Sequence, residues 1–233
     1  MDGVLIINKP QGITSFKVIE KLRTHFKVKK MGHAGTLDPQ ATGVLVVCIG
    51  KATKLASHFM NQEKEYEGTI KLGEETTTDD SEGEITAQHP VHGIERSDVE
   101  KILKTFVGTI SQKPPYFSAV KKNGRRLYDY ARAGQFIDVA ERLVTISQCN
   151  ILQFNSPYVK VHIVCSKGTY VRAIARDLGK ALSVGAHLSE LCRTGSGQFH
   201  ISKAHSLSEI LAEPCSSKLT EQISFHTVST EIA

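Results

Sequence analysis

GHAGTLDPQATGVLVVCIG, residues 32–50, sets one carboxylate in a glycine-punctuated loop that runs straight into an apolar strand. Gly32, Gly35 and Gly43 allow close backbone approaches that side chains forbid. Pro39 fixes its own φ and pushes Asp38 toward an extended conformation. A loop built this way can hold a reactive group rigidly. Asp before Pro is also an ordinary turn opener, so the pair alone leaves Asp38 between a structural and a chemical role. Residues 44–49 then form an unbroken apolar run of strand length, closed by Gly50, as expected of a buried strand.

N-terminal to this stretch, residues 3–8 read as another buried strand. Ser15 is expected to cap a helix on which Val18, Ile19, Leu22 and Phe26 recur at helical spacing, with the lysines and arginine outward. C-terminal to it, residues 51–60 continue as a helix, and Tyr66, Gly68, Ile70 and Leu72 alternate with polar residues as in a half-buried strand. A polar loop, EETTTDDSEGE, follows at 74–84. Ser97 with Glu100 reads as a capping box ahead of Val99, Ile102, Leu103 and Phe106, with Gly108 at the expected C-cap.

Residues 112–136 combine Pro114-Pro115, the turn signal Asn123-Gly124 and many basic and aromatic side chains, which predicts a protruding loop or hairpin. Residues 143–154 and 158–165 alternate as two strands joined through Asn155-Ser156-Pro157, and a helix is expected over 169–182. With no repeat and no linker, the pattern predicts a single α+β domain over 1–212 with one large sheet, and a polar tail over 213–233.

The chain has 233 residues, 40% hydrophobic and 23% charged, ample for a packed core. No apolar run is long enough to span a bilayer, and MDGVLIINKP lacks the pattern of a secretion signal, so the cytoplasm is expected. Cys48, Cys149, Cys165, Cys192 and Cys215 are odd in number and never in CxxC spacing, which suggests neither a disulfide framework nor a zinc site. Phosphate-cradling, dinucleotide and HExxH motifs are absent, so no cofactor and no metal are expected.

The net charge of +5 is unevenly spread. Residues 63–100 hold twelve acids against three bases, a local −9 that leaves +14 to the rest of the chain. Lys17, Lys21, Arg23, Lys27, Lys29 and Lys30 form one basic cluster; Lys113, Lys121, Lys122, Arg125, Arg126 and Arg132 form another. Either alone reads as a solvated face; two, separated by an acidic segment, favour a surface for a polyanion.

The run GHAGTLDPQATGVLVVCIGKATK resembles the catalytic motif of the TruB family, bacterial tRNA pseudouridine synthases that modify the T-loop uridine at tRNA position 55. Four further segments match that family in order: GVLIINKPQGITS (3–15), KEYEGTIKLG (64–73), QKPPYFSAVKKNGRRLYDYAR (112–132) and CSKGTYVRAIARDLG (165–179). The resemblance implies the pseudouridine synthase fold, a large mixed or antiparallel sheet flanked by helices with a protruding basic RNA-binding loop. It implies isomerisation of a flipped-out uridine without a cofactor, acting on the T-arm stem-loop of tRNA as a monomer.

The resemblance makes Asp38 the essential carboxylate, either as nucleophile or as the base that generates a glycal-type intermediate. Arg172 matches the arginine that pairs with it; a guanidinium suits that task because it stays charged and can grip a carboxylate bidentately. Tyr66 and Tyr170 match the two active-site tyrosines, Leu191 an apolar pocket residue, and His33 the histidine that helps to open the T loop. Lys17, Lys21, Lys29, Lys30, Lys121, Lys122, Arg125 and Arg126 would meet phosphates and position the stem-loop while the pocket reads the base. The roughly 35 residues after Gly197 are fewer than the family's usual C-terminal PUA module needs. An RNA chaperone with a vestigial site is the alternative, against which Asp38, Tyr66, Tyr170 and Arg172 occur together.

Overall fold

A computed structural model describes residues 1–212; the expected tail over 213–233, and with it Cys215, lies outside the described residues. In chain order the elements are β1 (Gly3–Lys9), α1 (Ser15–Phe26), β2 (Met31–His33), β3 (Thr42–Ile49), a 3-10 turn (Gly50–Leu55), α2 (Ala56–Asn61) and β4 (Lys64–Leu72). Next come β5 (Glu74–Thr76), β6 (Ile85–Gln88), α3 (Arg96–Thr105), β7 (Gly108–Gln112), β8 (Lys121–Lys122), β9 (Arg125–Arg126) and α4 (Leu127–Arg132). The chain continues with β10 (Arg142–Asn155), β11 (Tyr158–Cys165), α5 (Val171–Ala181), β12 (Ala186–Ser196), β13 (Phe199–His200), a 3-10 turn (Ile201–Lys203), β14 (His205–Ser206) and α6 (Leu207–Ala212). They form two compact units, one from residues 1–66 with the chain from Cys192 onward, the other Glu67–Leu191; β4 and β12 have residues in both.

In the first unit the strands pair in a mixed pattern. β1 lies parallel to β14 and antiparallel to β3; β3 pairs antiparallel with β2 and parallel with Cys192 and Arg193 of β12; β13 closes on β12 antiparallel. β3 is buried on both faces, which is why its sequence is a continuous apolar run. Leu45, Val47 and Ile49 join Leu5 and Ile7 of β1 against Val18, Ile19, Leu22 and Phe26 of α1 and Leu207 and Ile210 of α6. On the opposite face Val44, Val46 and Cys48 meet Val4, Ile6, Phe59 and Phe199. Each such side chain contributes roughly 1.5–3 kcal/mol when fully buried.

The N-cap of α1 is Thr14, whose hydroxyl accepts from the Lys17 backbone N–H at 3.0 Å, and not Ser15 as expected. Ser15 is buried and bonded to the Asp38 loop. The helix expected over 51–60 is split, its first part a 3-10 turn and its second α2.

In the second unit β10 pairs antiparallel with β11 and with β7, and α3 packs on β10. The buried faces of β10 and β11 carry Val144, Ile146, Val159, Val161 and Ile163, while Val99 and Leu103 of α3 and Ile174 and Leu178 of α5 are equally buried. α3 starts two positions earlier than Ser97 suggests. Glu95 is its N-cap and Asp98 the reciprocal partner, the Glu95 N–H donating to Asp98 at 3.0 Å. The C-cap is Phe106, and Gly108 opens β7. The supposed polar loop begins as β5, which pairs with β6.

Between 112 and 136 the hairpin is present: β8 and β9 pair across Asn123 and Gly124, both at positive φ. It leads into a helix, α4, that the composition did not announce and whose Leu127 and Ala131 are buried.

Candidate active site

The Asp38 loop, residues 34–41, links β2 to β3 in the first unit and is fixed by backbone bonds on several sides. The Ala34 N–H donates to Val46 at 2.8 Å, and the Ala41 N–H turns back to the Asp38 carbonyl at 3.1 Å. Ser15 holds Leu37 twice, donating to its carbonyl at 3.0 Å and accepting its N–H at 2.9 Å. On the other side of Asp38, the Pro39 carbonyl accepts from the Gly12 N–H and from Lys9 Nζ, both at 2.9 Å.

Lys9 is fully buried, its ammonium also donating to Pro10 at 2.9 Å and Ile13 at 2.8 Å. Arg193, from β12, is 1% exposed. Its Nε donates to Val44 at 2.7 Å, Nη2 to Gly35 at 3.1 Å and Nη1 to Thr36 at 3.5 Å. Two buried cations therefore grip the carbonyls flanking Asp38. A buried charge is tolerated only when its donors are satisfied, and loop carbonyls satisfy these.

His33 ends β2 beside this loop. Burial first, then the Arg193 guanidinium, holds its imidazole below the ordinary histidine range against an opposing hydrogen bond with Gly35, so the ring is neutral at pH 7. Tyr66 lies in β4 of the same unit with its ring buried. The sequence-derived residues His33, Asp38 and Tyr66 thus belong to the first unit, and Tyr170, Arg172 and Leu191 to the second.

In the second unit Tyr170 is the N-cap of α5. Its backbone is clamped by the side chain of Gln112, which accepts from the Tyr170 N–H at 2.8 Å and donates to its carbonyl at 3.2 Å. The Arg142 guanidinium lies 5.3 Å from the centre of the Tyr170 ring. Arg172 is 6% exposed; it donates to Thr78 at 3.0 Å and Phe117 at 3.1 Å, and its Nε lies 3.4 Å from Asp80. One turn on, Arg176 meets Asp79 at 3.0 Å. Burial pushes the Asp79 carboxyl up, against the pull of Arg176 and Arg172. Leu191 is half-buried in β12, and Gly68 of β4 leaves room for it: a Cβ there would lie 3.5 Å from its Cδ1.

The basic residues are less free than their composition suggests. Lys17 pairs with Glu20 at 3.0 Å, whereas Lys21, Lys29 and Lys30 are exposed. Arg125 lies 4.7 Å over the Tyr130 ring and donates to Asp129 at 2.7 Å; Arg126 donates to the Tyr128 hydroxyl at 2.9 Å; Lys122 donates to the Asp138 carbonyl. Lys121 is exposed.

Lys9, Arg193, Ser15 in its loop-holding role, Gln112 and Asp80 were not found by reading the sequence. For Lys9 a signal existed, since period two places it on the same face as Leu5 and Ile7. Among the described residues no group of three or more His, Cys, Asp or Glu side chains could hold a metal ion, and no helix is long and apolar enough to cross a membrane.

Comparisons with known proteins bear on the family and the fold. The TruB family pseudouridylate synthase N-terminal domain matches residues 23–171, and the tRNA pseudouridylate synthase B C-terminal domain matches 172–224. A tRNA pseudouridine synthase B of Bacteroides fragilis is 54% identical over 200 residues, covering 83% of this chain and 86% of the relative. Its namesake from Francisella philomiragia is 47% identical, covering 90% of this chain and 70% of the relative. Among solved structures, a chain of a Cbf5-Nop10-Gar1 complex superposes with a TM-score of 0.71 at 29% identity, and a chain of an H/ACA RNP bound to a substrate RNA containing 2'-deoxyuridine with 0.68 at 26%. This chain covers about half of each solved chain, 54% and 52%, and 90% of it is matched in both. With a family match over more than half its length and relatives 47% and 54% identical over most of it, the chain belongs to the TruB family of pseudouridylate synthases.

Proposed function

We propose that this pseudouridylate synthase converts the uridine at position 55, in the T loop of tRNA, to pseudouridine, with Asp38 as the essential carboxylate. The observation that carries the reading is the Asp38 loop: its backbone is held by Ser15 and Lys9 on either side of Asp38 and by Arg193 beneath, as a carboxylate that must meet one atom of a ring requires. The name tRNA pseudouridine synthase B borne by the relatives supports a tRNA substrate.

The reaction breaks an N-glycosidic bond, turns the uracil and rejoins it through carbon, with no redox change and no group donor. A T-loop uridine has to leave its stack to reach the carboxylate, at a cost of a few kcal/mol. We assign Tyr66 as the ring that receives the uracil, where stacking contributes roughly 1–3 kcal/mol. Tyr170, Arg172 and Leu191 are assigned as further substrate-binding residues, and the neutral ring of His33 to opening the loop rather than to proton transfer. Lys21, Lys29, Lys30 and Lys121 are the exposed candidates for phosphate contacts, with Lys17, Lys122, Arg125 and Arg126 released from their present partners by RNA. We place the protein in a reducing compartment such as the cytosol, where cysteines outside disulfides, as the described ones are, persist.

The test is incubation of unmodified tRNA, and of an isolated T-arm stem-loop, with the purified protein, followed by chemical mapping of pseudouridine. Modification at position 55 by the wild type and none by Asp38→Asn, with RNA affinity retained, is the expected result. Binding without modification by the wild type would instead identify an RNA chaperone.

A further inference from the structure

Arg193 is a fully buried cation with an uncommon environment. Its hydrogen bonds run to three backbone carbonyls, Gly35, Thr36 and Val44, and among the described residues no carboxylate comes within ion-pair distance of it. A buried guanidinium without a counter-charge is costly, and packing alone would be served as well by an apolar chain. Two of these carbonyls, Gly35 and Thr36, belong to the Asp38 loop, and Val44 lies near the start of β3. The chain also excludes a side chain from Gly43, opposite Arg193 in the ladder, where a Cβ would come within 2.2 Å of the Arg193 carbonyl.

We propose that Arg193 is a positioning residue for Asp38: its fork fixes the loop at Gly35 and Thr36, and its uncompensated charge supplies a fixed positive potential beneath the reacting carboxylate. This rests on Asp38 being the essential carboxylate. Other titratable groups facing the loop include Lys9 at Pro39, the neutral ring of His33, and Lys64, whose Cε lies 3.8 Å from where a Gly35 side chain would begin. Arg193 bonds two carbonyls on the N-terminal side of Asp38, those of Gly35 and Thr36.

Arg193→Lys and Arg193→Gln separate charge from hydrogen bonding, since lysine keeps the cation and loses the fork while glutamine keeps a neutral planar donor. Single-turnover rates and RNA dissociation constants are measured for both beside wild type and Asp38→Asn. Expected is a rate loss of about tenfold in the lysine variant and about a hundredfold in the glutamine variant, with RNA affinity within about twofold throughout. Glutamine as active as lysine overturns the proposal, as does a loss confined to RNA affinity. Should the glutamine variant not fold, lysine alone decides: an unchanged rate overturns the proposal, because one ammonium cannot span the sites of Nε and both terminal nitrogens. Activity surviving in Asp38→Asn would sink the assigned role of Asp38 and this inference with it, whereas an inactive Asp38→Asn beside unaffected Arg193 variants sinks this inference alone.

Discussion

Replacing Gly43 by alanine adds one methyl group to the start of β3, and its cost follows from two structural features. Gly43 has φ +99°, where an L-residue is strained by about 1–2 kcal/mol. The new Cβ would also sit 2.2 Å from the carbonyl oxygen of Arg193, 2.7 Å from its nitrogen and 2.8 Å from its carbonyl carbon. These are backbone atoms of the paired strand, so no side chain can rotate aside; the ladder at Cys192–Thr42 and Arg193–Gly43 must open. Overpacking of this kind costs about 1–3 kcal/mol, which brings the total to about 2–5 kcal/mol. In a chain of this size each kcal/mol lowers Tm by about 2–4 °C, so thermal unfolding should fall by roughly 4–20 °C. Calorimetry gives the answer directly. A Tm within about 2 °C of wild type would refute the reasoning, because neither strain nor displaced backbone could then be present.

Ser15→Ala leaves both the N–H and the carbonyl of Leu37 without their partner, and should cost about 2–4 kcal/mol in urea unfolding; a change below 1 kcal/mol would mean water replaces the hydroxyl. His33 has its pKa depressed in the folded state, so its contribution to stability is present at and above the unfolded value near 6.5 and is lost as pH falls below it. His33→Gln should accordingly flatten the acid side of the stability profile, and an unchanged slope between pH 6.5 and about 5 would contradict the shift. Burial, reinforced by Cys165, pushes the Cys149 thiol up to about 12, so its contribution is full below the ordinary value of 9.0 and is lost as pH rises toward 12. In Cys149→Ala that alkaline loss should shrink, as read by denaturant midpoints at pH 8 and pH 10.5.

The sequence disclosed elements in which one residue type repeats at one period. Alternation over Tyr66, Gly68, Ile70 and Leu72 announced β4, the apolar run at 44–49 announced β3, and Asn123-Gly124 announced the hairpin of β8 and β9. Caps were misplaced by one or two positions, since Thr14 and Ser15 are chemically equal as caps and only the tertiary contact with Leu37 takes Ser15 away. For α3 the serine pattern at Ser97 and Glu100 competes with an acidic pair two positions earlier, Glu95 and Asp98, which fulfils the same reciprocal bonding. β12 escaped notice because AHLSELCRTGS has no clean alternation, its buried positions including His187, Arg193, Thr194 and Ser196. Of the site, Asp38 stood out through its own neighbours. Lys9 and Arg193 did not, because long basic residues are exposed by default, and the carbonyls of Gly35, Thr36 and Val44 that hold Arg193, like that of Pro39 at Lys9, are distant in sequence.

The bond pair between Gln112 and Tyr170 works as a two-letter complementarity check, one donor and one acceptor against one acceptor and one donor, much as base edges are matched. Gln112 is 1% exposed, so water is not there to correct a mismatch. A glutamate at this position would set a second oxygen against the Tyr170 carbonyl, a methionine would leave both letters unread, and an asparagine would fall one methylene short. A position that looks like an interchangeable polar residue at the end of β7 therefore has an alphabet of one, and the beginning of α5, with Arg172 two residues on from Tyr170, is addressed through it.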